Sequence, residues 1–221
     1  EKLFRRLEKQ LLKNGITYIL LPRILKTSPF INIQDCKGDY IKPFLTIEVI
    51  RYITNKQLIP KELKDIEVVI LDGNKGDVDM IIDIVYPHIN YLTIITNYPD
   101  RFRKKVEYIF QDVGLNVTIS SYNKPAISQG DVIIDTHYDD PGIIHFCKKS
   151  SLYIDMGNHI EKTVMLVEKQ KDVMIVDDFF LAQDKEVLRI DQAELVLSIK
   201  GVFGEDYNET IRRIKKENIT I

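Results

Sequence analysis

The feature that most constrains this chain is the regular exchange, between residues 67 and 121, of short unbroken apolar runs with helix-like segments. Val68-Val69-Ile70-Leu71 and Leu92-Thr93-Ile94-Ile95 do not alternate polar and apolar residues. A strand that is apolar at nearly every position has to be covered on both faces, the condition of a strand inside a parallel sheet with helices above and below it. The pattern predicts strands over 67–72, 91–96 and 116–121, with helices over about 77–87 and 99–113 between them. Further strands are expected over Val132–Asp135, Leu152–Asp155 and Val173–Val176, with a short helix over Gly142–Cys147. The sheet should therefore have at least six strands.

The ends of the chain read differently. Leu3, Leu7, Leu11 and Leu12 lie about a helical turn apart among lysines and arginines, which predicts an amphipathic helix over 1–14 stopped at Gly15. Short strands are expected over Ile16–Leu21 and Phe30–Ile33, then a helix over Pro43–Asn55. Two closing helices are expected around Gln192–Ser198 and Glu209–Asn218. The expected fold class is α/β: a doubly wound, mostly parallel sheet with C-terminal helices over 63–221, preceded by a small N-terminal α/β lobe over 1–62.

Composition narrows the function classes. With 31 basic and 33 acidic residues the net charge is −2, without the basic excess of a dedicated nucleic-acid binder. Cys36 and Cys147 are too far apart in sequence for a zinc pattern and too few for a disulfide scaffold, so a reducing cytoplasm is the expected compartment and no metal is expected. No apolar run approaches the roughly 18 residues that a membrane-spanning helix needs. Expected partners are a small-molecule ligand or a protein; nucleic acid and membrane are not expected, and a homo-oligomer is left open.

The segment that could carry chemistry is the turn after the first regular strand, Leu71-Asp72-Gly73-Asn74-Lys75-Gly76-Asp77. In open α/β sheets ligands lie beyond the carboxyl ends of the strands, where phosphates meet free N–H groups at a helix N-terminus. Gly73 supplies a tight turn, Gly76 permits close backbone approach and Asp77 suits the N-cap of the next helix. Against the G-x-G-x-x-G dinucleotide fingerprint the first glycine is kept, while Lys75 and Val78 occupy the other two glycine positions. An ordinary strand–helix turn with an aspartate cap accounts for the same residues.

The order of motifs from about 66 to 160 resembles the NAD(P)-binding domain of the shikimate dehydrogenase and glutamyl-tRNA reductase group, which makes the expected sheet Rossmann-like. The matching pieces are Gly73-Asn74-Lys75-Gly76, Ile95-Thr96-Asn97-Tyr98-Pro99-Asp100-Arg101, Asp131-Val132-Ile133-Ile134-Asp135-Thr136 and Tyr153-Ile154-Asp155-Met156. The resemblance implies that the segment after the second strand meets the adenosine ribose or its 2′-phosphate. Asn97 matches the family's asparagine, Tyr98 replaces its arginine, and Arg101 and Arg103 could compensate. Since no acid stands at that strand tip, NADP is slightly favoured over NAD. The bland reading makes Arg101, Arg103, Lys104 and Lys105 a solvated helix face. The family's catalytic lobe has no match in the shorter N-terminal segment, where Lys26, Asp35 and Asp39 read as exposed loop residues.

Other candidates lie at the same expected edge. His137 and His159 follow neighbouring strands, with Asp139, Asp155 and Asn158 nearby, a set that could perform acid–base work or, with the carboxylates, hold a divalent metal, though no spaced motif such as H-E-x-x-H is present; His137 and Asp155 join Gly73, Asn74, Lys75, Gly76, Asp77, Asn97, Tyr98 and Arg101 as the candidate cofactor contacts. Asp177 and Asp178 end another strand and read as turn formers. Cys147 reads as a buried apolar group. Three functions remain open: an NAD(P)-dependent oxidoreductase or its degenerate descendant, a non-catalytic regulatory or assembly module, and an S-adenosylmethionine-dependent methyltransferase suggested by Leu71-Asp72-Gly73. The last ranks lowest because Asn97 stands where a ribose-binding acid is usual.

Overall fold

The computed structural model describes residues 2–19, 30–36, 38–73, 78–121, 124–136, 138–157, 160–169, 172–177, 179–183, 186–203, 207–216 and 219–220. In chain order the helices are α1 Lys2–Lys13, α2 Lys42–Asn55, α3 Val78–Val85, α4 Arg103–Val113, α5 Lys124–Gln129, α6 Ile160–Lys169, α7 Ile190–Ile199 and α8 Tyr207–Lys216. The strands are β1 Tyr18–Ile19, β2 Gln34–Asp35, β3 Glu67–Asp72, β4 Tyr91–Ile95, β5 Val117–Ser120, β6 Val132–Thr136, β7 Leu152–Asp155, β8 Met174–Val176, β9 Phe180–Gln183, β10 Glu186–Arg189 and β11 Ile219–Thr220. The chain divides into two compact units, Pro43–Asp178 and the combination of Glu1–Lys42 with Phe179–Ile221. That division differs from the expected 1–62 and 63–221, because the first forty residues group with the end of the chain.

The central unit is a six-stranded sheet in the order β5-β4-β3-β6-β7-β8, and every adjacent pair is parallel. Counted from β3 the order is 3-2-1-4-5-6, the doubly wound Rossmann arrangement. The continuous apolar runs explain the burial: β3 is buried from Val68 to Asp72 and β6 along its whole length. Each fully buried Val, Leu or Ile there contributes about 1.5–3 kcal/mol from the area removed from water. α3 buries Val78, Ile81, Ile82, Ile84 and Val85, a broad apolar face. Its opposite face presents Asp79 and Asp83, which pair with Arg101 and Lys105 at 2.8 Å and 2.6 Å. α4 ends at Gly114 in the left-handed conformation (φ 72°), donating its N–H to the Phe110 carbonyl at 3.0 Å.

At the amino edge of this sheet, Asp131 is buried and accepts from the Glu67 N–H at 2.9 Å, from Lys61 at 2.7 Å and from Lys148. Burial works against its ionisation. The Glu67 N–H and the two lysines outweigh it and hold the carboxyl below its ordinary value.

In the other unit β1 and β2 form a two-residue parallel ladder, while β9 pairs antiparallel with both β10 and β11. The expected strand over 30–33 falls instead at 34–35. The Glu8 carboxylate explains the shift: it takes the N–H groups of Ile31 at 2.7 Å and Asn32 at 2.5 Å, which a ladder would need. Farther along, Glu194 accepts from the N–H groups of Tyr40 at 2.9 Å and Ile41 at 3.3 Å. Among the described residues no helix is long and apolar enough to cross a membrane.

Candidate functional site at the carboxyl edge of the sheet

Strand order reverses between β3 and β6, whose chains leave the sheet toward helices in opposite directions along it, so the crevice expected in such sheets lies beyond Asp72 and Thr136. Gly73 extends β3 by one residue and donates its N–H to the Thr136 carbonyl at 3.1 Å. The Thr136 hydroxyl in turn donates to the Leu71 carbonyl at 2.8 Å. The first amide of the turn is thereby spent on sheet closure and is not aimed outward. Asn74, Lys75, Gly76 and Asp77 lie outside the described residues, as do His137, Asn158, His159, Asp178 and Lys26.

The β3 and β4 tips are joined by side chains. Asp72 is buried and accepts from the Thr96 hydroxyl at 2.7 Å, and Thr96 Oγ1 accepts the Tyr98 N–H at 3.0 Å. Arg101 reaches back from the short helical turn Pro99–Phe102, with one guanidinium nitrogen 3.6 Å from Asp72 Oδ1 and another 2.8 Å from Asp79 Oδ2. Asn97 and Tyr98 are exposed at the tip. Both arginines expected to meet a ribose phosphate are therefore paired with carboxylates, Arg103 with Asp100 at 2.7 Å. Asp79, the partner that most directly engages Arg101, carries no motif signal. The only hint is spacing: Asp79 and Asp83, four residues apart, face Arg101 and Lys105, also four apart.

On the β6 side a second network is wholly interior. Asp135 accepts from the Tyr138 N–H at 2.8 Å, from Lys162 Nζ at 2.6 Å and from the Tyr153 hydroxyl, and Lys162 also donates to the Tyr138 carbonyl. Burial and the neighbouring Asp135 charge push the Tyr153 phenol well above its ordinary value, and the Cys147 thiol is pushed up to about 12 for the same reasons. A thiol so protonated is no nucleophile at neutral pH, in keeping with Cys147 as a packing residue. Asp155, expected among the ligand contacts, is buried, and its carboxylate accepts the Gly157 N–H at 2.8 Å. The structure thus brings Gly73, Asn97, Tyr98 and Arg101 to the tips of adjacent strands and places Asp155 at the end of β7, two strands from β3. Asp139 and Asp177 are exposed and near the same edge in sequence terms. No group of three or more metal-ligating side chains occurs among the described residues.

No protein-family model matches the sequence, and no curated protein sequence matches it. Among solved structures the chain is similar to the ligand-free 5-ketofructose reductase of Gluconobacter sp. strain CHM43, with TM-score 0.45 and 12% identity over 94% of this chain and 74% of that one. It is also similar to an L-alanine dehydrogenase, with TM-score 0.39 and 11% identity over 83% of this chain and 59% of that one. A third is the Thermococcus litoralis Delta(1)-pyrroline-2-carboxylate reductase in complex with NADH and L-proline, with TM-score 0.31 and 14% identity over 77% and 49%. Likeness at this level decides nothing about ligand or activity, and the Rossmann-like assignment rests on the strand order of the chain itself.

Proposed function

We propose that the 43–178 unit binds a dinucleotide of the NAD type across the β3–β6 switch point, through a degenerate phosphate turn. The observation that carries the reading is the all-parallel order β5-β4-β3-β6-β7-β8, whose crevice is where sheets of this topology hold dinucleotides. The β3 tip, ending in Gly73, would lie under the pyrophosphate, and Asn97 and Tyr98 would border the adenosine ribose.

A binding role without hydride transfer is favoured over catalysis by a second observation. The described carboxylates that end the central strands, Asp72, Asp135 and Asp155, are buried and hydrogen-bonded within the protein. So engaged, these three carboxylates hold the strand ends and the segments that follow them in place. The preferred reading is an oxidoreductase-like protein acting as a regulatory or assembly module that responds to a dinucleotide.

Calorimetric titration of the full chain with NAD+ and NADH tests this, with Gly73→Leu in parallel. Saturable binding that the variant weakens by about tenfold or more is expected, since a branched side chain would fill the strand tip where the ligand backbone must approach. Absence of saturable binding of any dinucleotide would overturn the reading.

A further inference from the structure

β5 is an outermost strand of the central sheet, and among the described residues only β4 pairs with it. One bond fixes which of its backbone groups face inward: the Ser120 carbonyl accepts the Thr96 N–H at 2.9 Å. The N–H and C=O of a strand residue point to the same side, and the side alternates along the strand. Thr118 therefore also faces β4, while Val117 and Ile119 turn both groups toward the open edge.

Monomeric proteins guard such an edge with charge, proline or a bulge. In a chain that is 29% charged, no charged residue and no proline occurs from Val113 to Asn123. The register with β4 runs without a bulge. We infer that this edge is a homodimer interface, in which β5 of two copies pair antiparallel about a two-fold axis at Thr118 and join the two sheets into one.

The choice of a second copy over another partner follows from symmetry. A two-fold contact sets a surface against itself, so it favours an uncharged strip, while such a strip offers a different partner no charge to select it by. With the axis at Thr118, Val117 of one copy stands opposite Ile119 of the other and exchanges both N–H···O bonds with it. The two Thr118 side chains then meet as a close non-hydrogen-bonded pair. Val69, which shares a sheet face with Thr93 and Thr118, packs with Ile127 of α5, so Val117 and Ile119 lie on the other face, under α4. There Val117 is buried and Ile119 half-buried, whereas Asn116 and Thr118 on the α5 face are exposed. The axis therefore brings apolar side chains onto apolar ones and polar onto polar.

α4 extends the apolar strip. Its Asp112 accepts the Tyr86 hydroxyl and its Lys105 pairs with Asp83, so that flank looks toward α3 and the turn after it. Phe110 lies about 160° round the helix from Asp112, on the flank beside β5. It is 60% exposed, and Val113 is 48% exposed. In the dimer these side chains stand beside the partner's α4, and apolar area now in water is removed.

Sedimentation of the full chain over a range of concentrations tests the inference, with Thr118→Lys and Thr118→Cys in parallel. The wild type should run at twice the chain mass. Thr118→Lys alters an exposed residue but sets like charges face to face at the axis, and should raise the dissociation constant of the dimer by about tenfold or more. After mild oxidation Thr118→Cys should give a disulfide-linked dimer, because a non-hydrogen-bonded antiparallel pair holds its Cα atoms about 4.5 Å apart, within the span of a disulfide. Asn116→Cys, on the same face, should link far less, since the axis places residue 116 opposite Ser120 and not opposite itself. The native Cys36 and Cys147 are buried and add little background. A wild type that stays monomeric up to about 100 μM, a dimer that Thr118→Lys leaves intact, or linkage as ready through Asn116→Cys as through Thr118→Cys overturns the inference.

Discussion

Two carboxylates flank the switch point on adjacent strands, one residue out of register, and the protein holds them in opposite ways. Asp135 on β6 is locked to Lys162, whose side chain is only 5% exposed, and to Tyr153 and the Tyr138 N–H, so its whole environment is protein. Asp72 on β3 is equally buried, but its cation, Arg101, is 34% exposed and shared with a carboxylate that faces solvent. An ion pair sealed in the interior is fixed by the cost of breaking it, while one whose two partners both reach solvent, as Arg101 and Asp79 do, is rearranged at little cost. The β6 flank is sealed by its own cation, whereas the cation of the β3 flank is open to solvent, the side on which the proposed ligand would have to act.

If this contrast holds, the largest effect belongs to the sealed flank. Lys162→Met leaves a buried, uncompensated Asp135 and should destabilise the protein by about 3–5 kcal/mol in urea unfolding, with Lys162→Met combined with Asp135→Asn costing clearly less than the two singly summed. A smaller effect is expected at the amino edge. Because the Asp131 carboxyl is held below its ordinary value in the folded chain, its contribution is present above the unfolded value of about 3.9 and is lost as pH falls through the folded value. Asp131→Asn should flatten the drop in melting temperature below that pH. If the wild-type and variant melting curves fall in parallel on acidification, the Lys61–Asp131–Lys148 clamp is not a stabilising element. The smallest effect is expected on the ligand side: Asp79→Asn should change stability by only about 0–1 kcal/mol, as for exposed ion pairs generally. A large loss there would erase the distinction between the two flanks.

The sheet was legible because its strands obey one simple rule. Continuous apolar runs at 68–71 and 92–95, separated by helical periodicity, leave few arrangements open, and β3, β4, β5, β6, β7 and β8 all fall within two residues of their expected limits. Among the described elements α5, α6, β9, β10 and the two-residue β11 were not read, and the first four have a physical reason. α5, Lys-Pro-Ala-Ile-Ser-Gln, is too short to show a period. In α6 the apolar residues Val164, Met165, Leu166 and Val167 are contiguous, and Val164 and Val167 are exposed, so no single apolar stripe marks the helix. The β9–β10 hairpin is linked by Asp184-Lys185, which lacks the glycine that signals a tight hairpin turn. Missing α6 also concealed Lys162 and with it the Asp135 network, whose members lie 18 and 27 residues apart in sequence. The ion pair at the β4 tip was hidden for a related reason: Asp79 and Arg101 sit 22 residues apart and meet only because α3 and the turn before α4 lie side by side.

The most direct test of the account is to locate the ligand. Backbone amide shifts of the isotope-labelled full chain, followed through a titration with NAD+, should move at Gly73, at Thr96, Asn97 and Tyr98, and at Thr136, and stay in place around Glu67, Asp131 and Lys148 at the amino edge. Shifts confined to the amino edge, or no saturable shifts at the β3 and β4 tips, would contradict it.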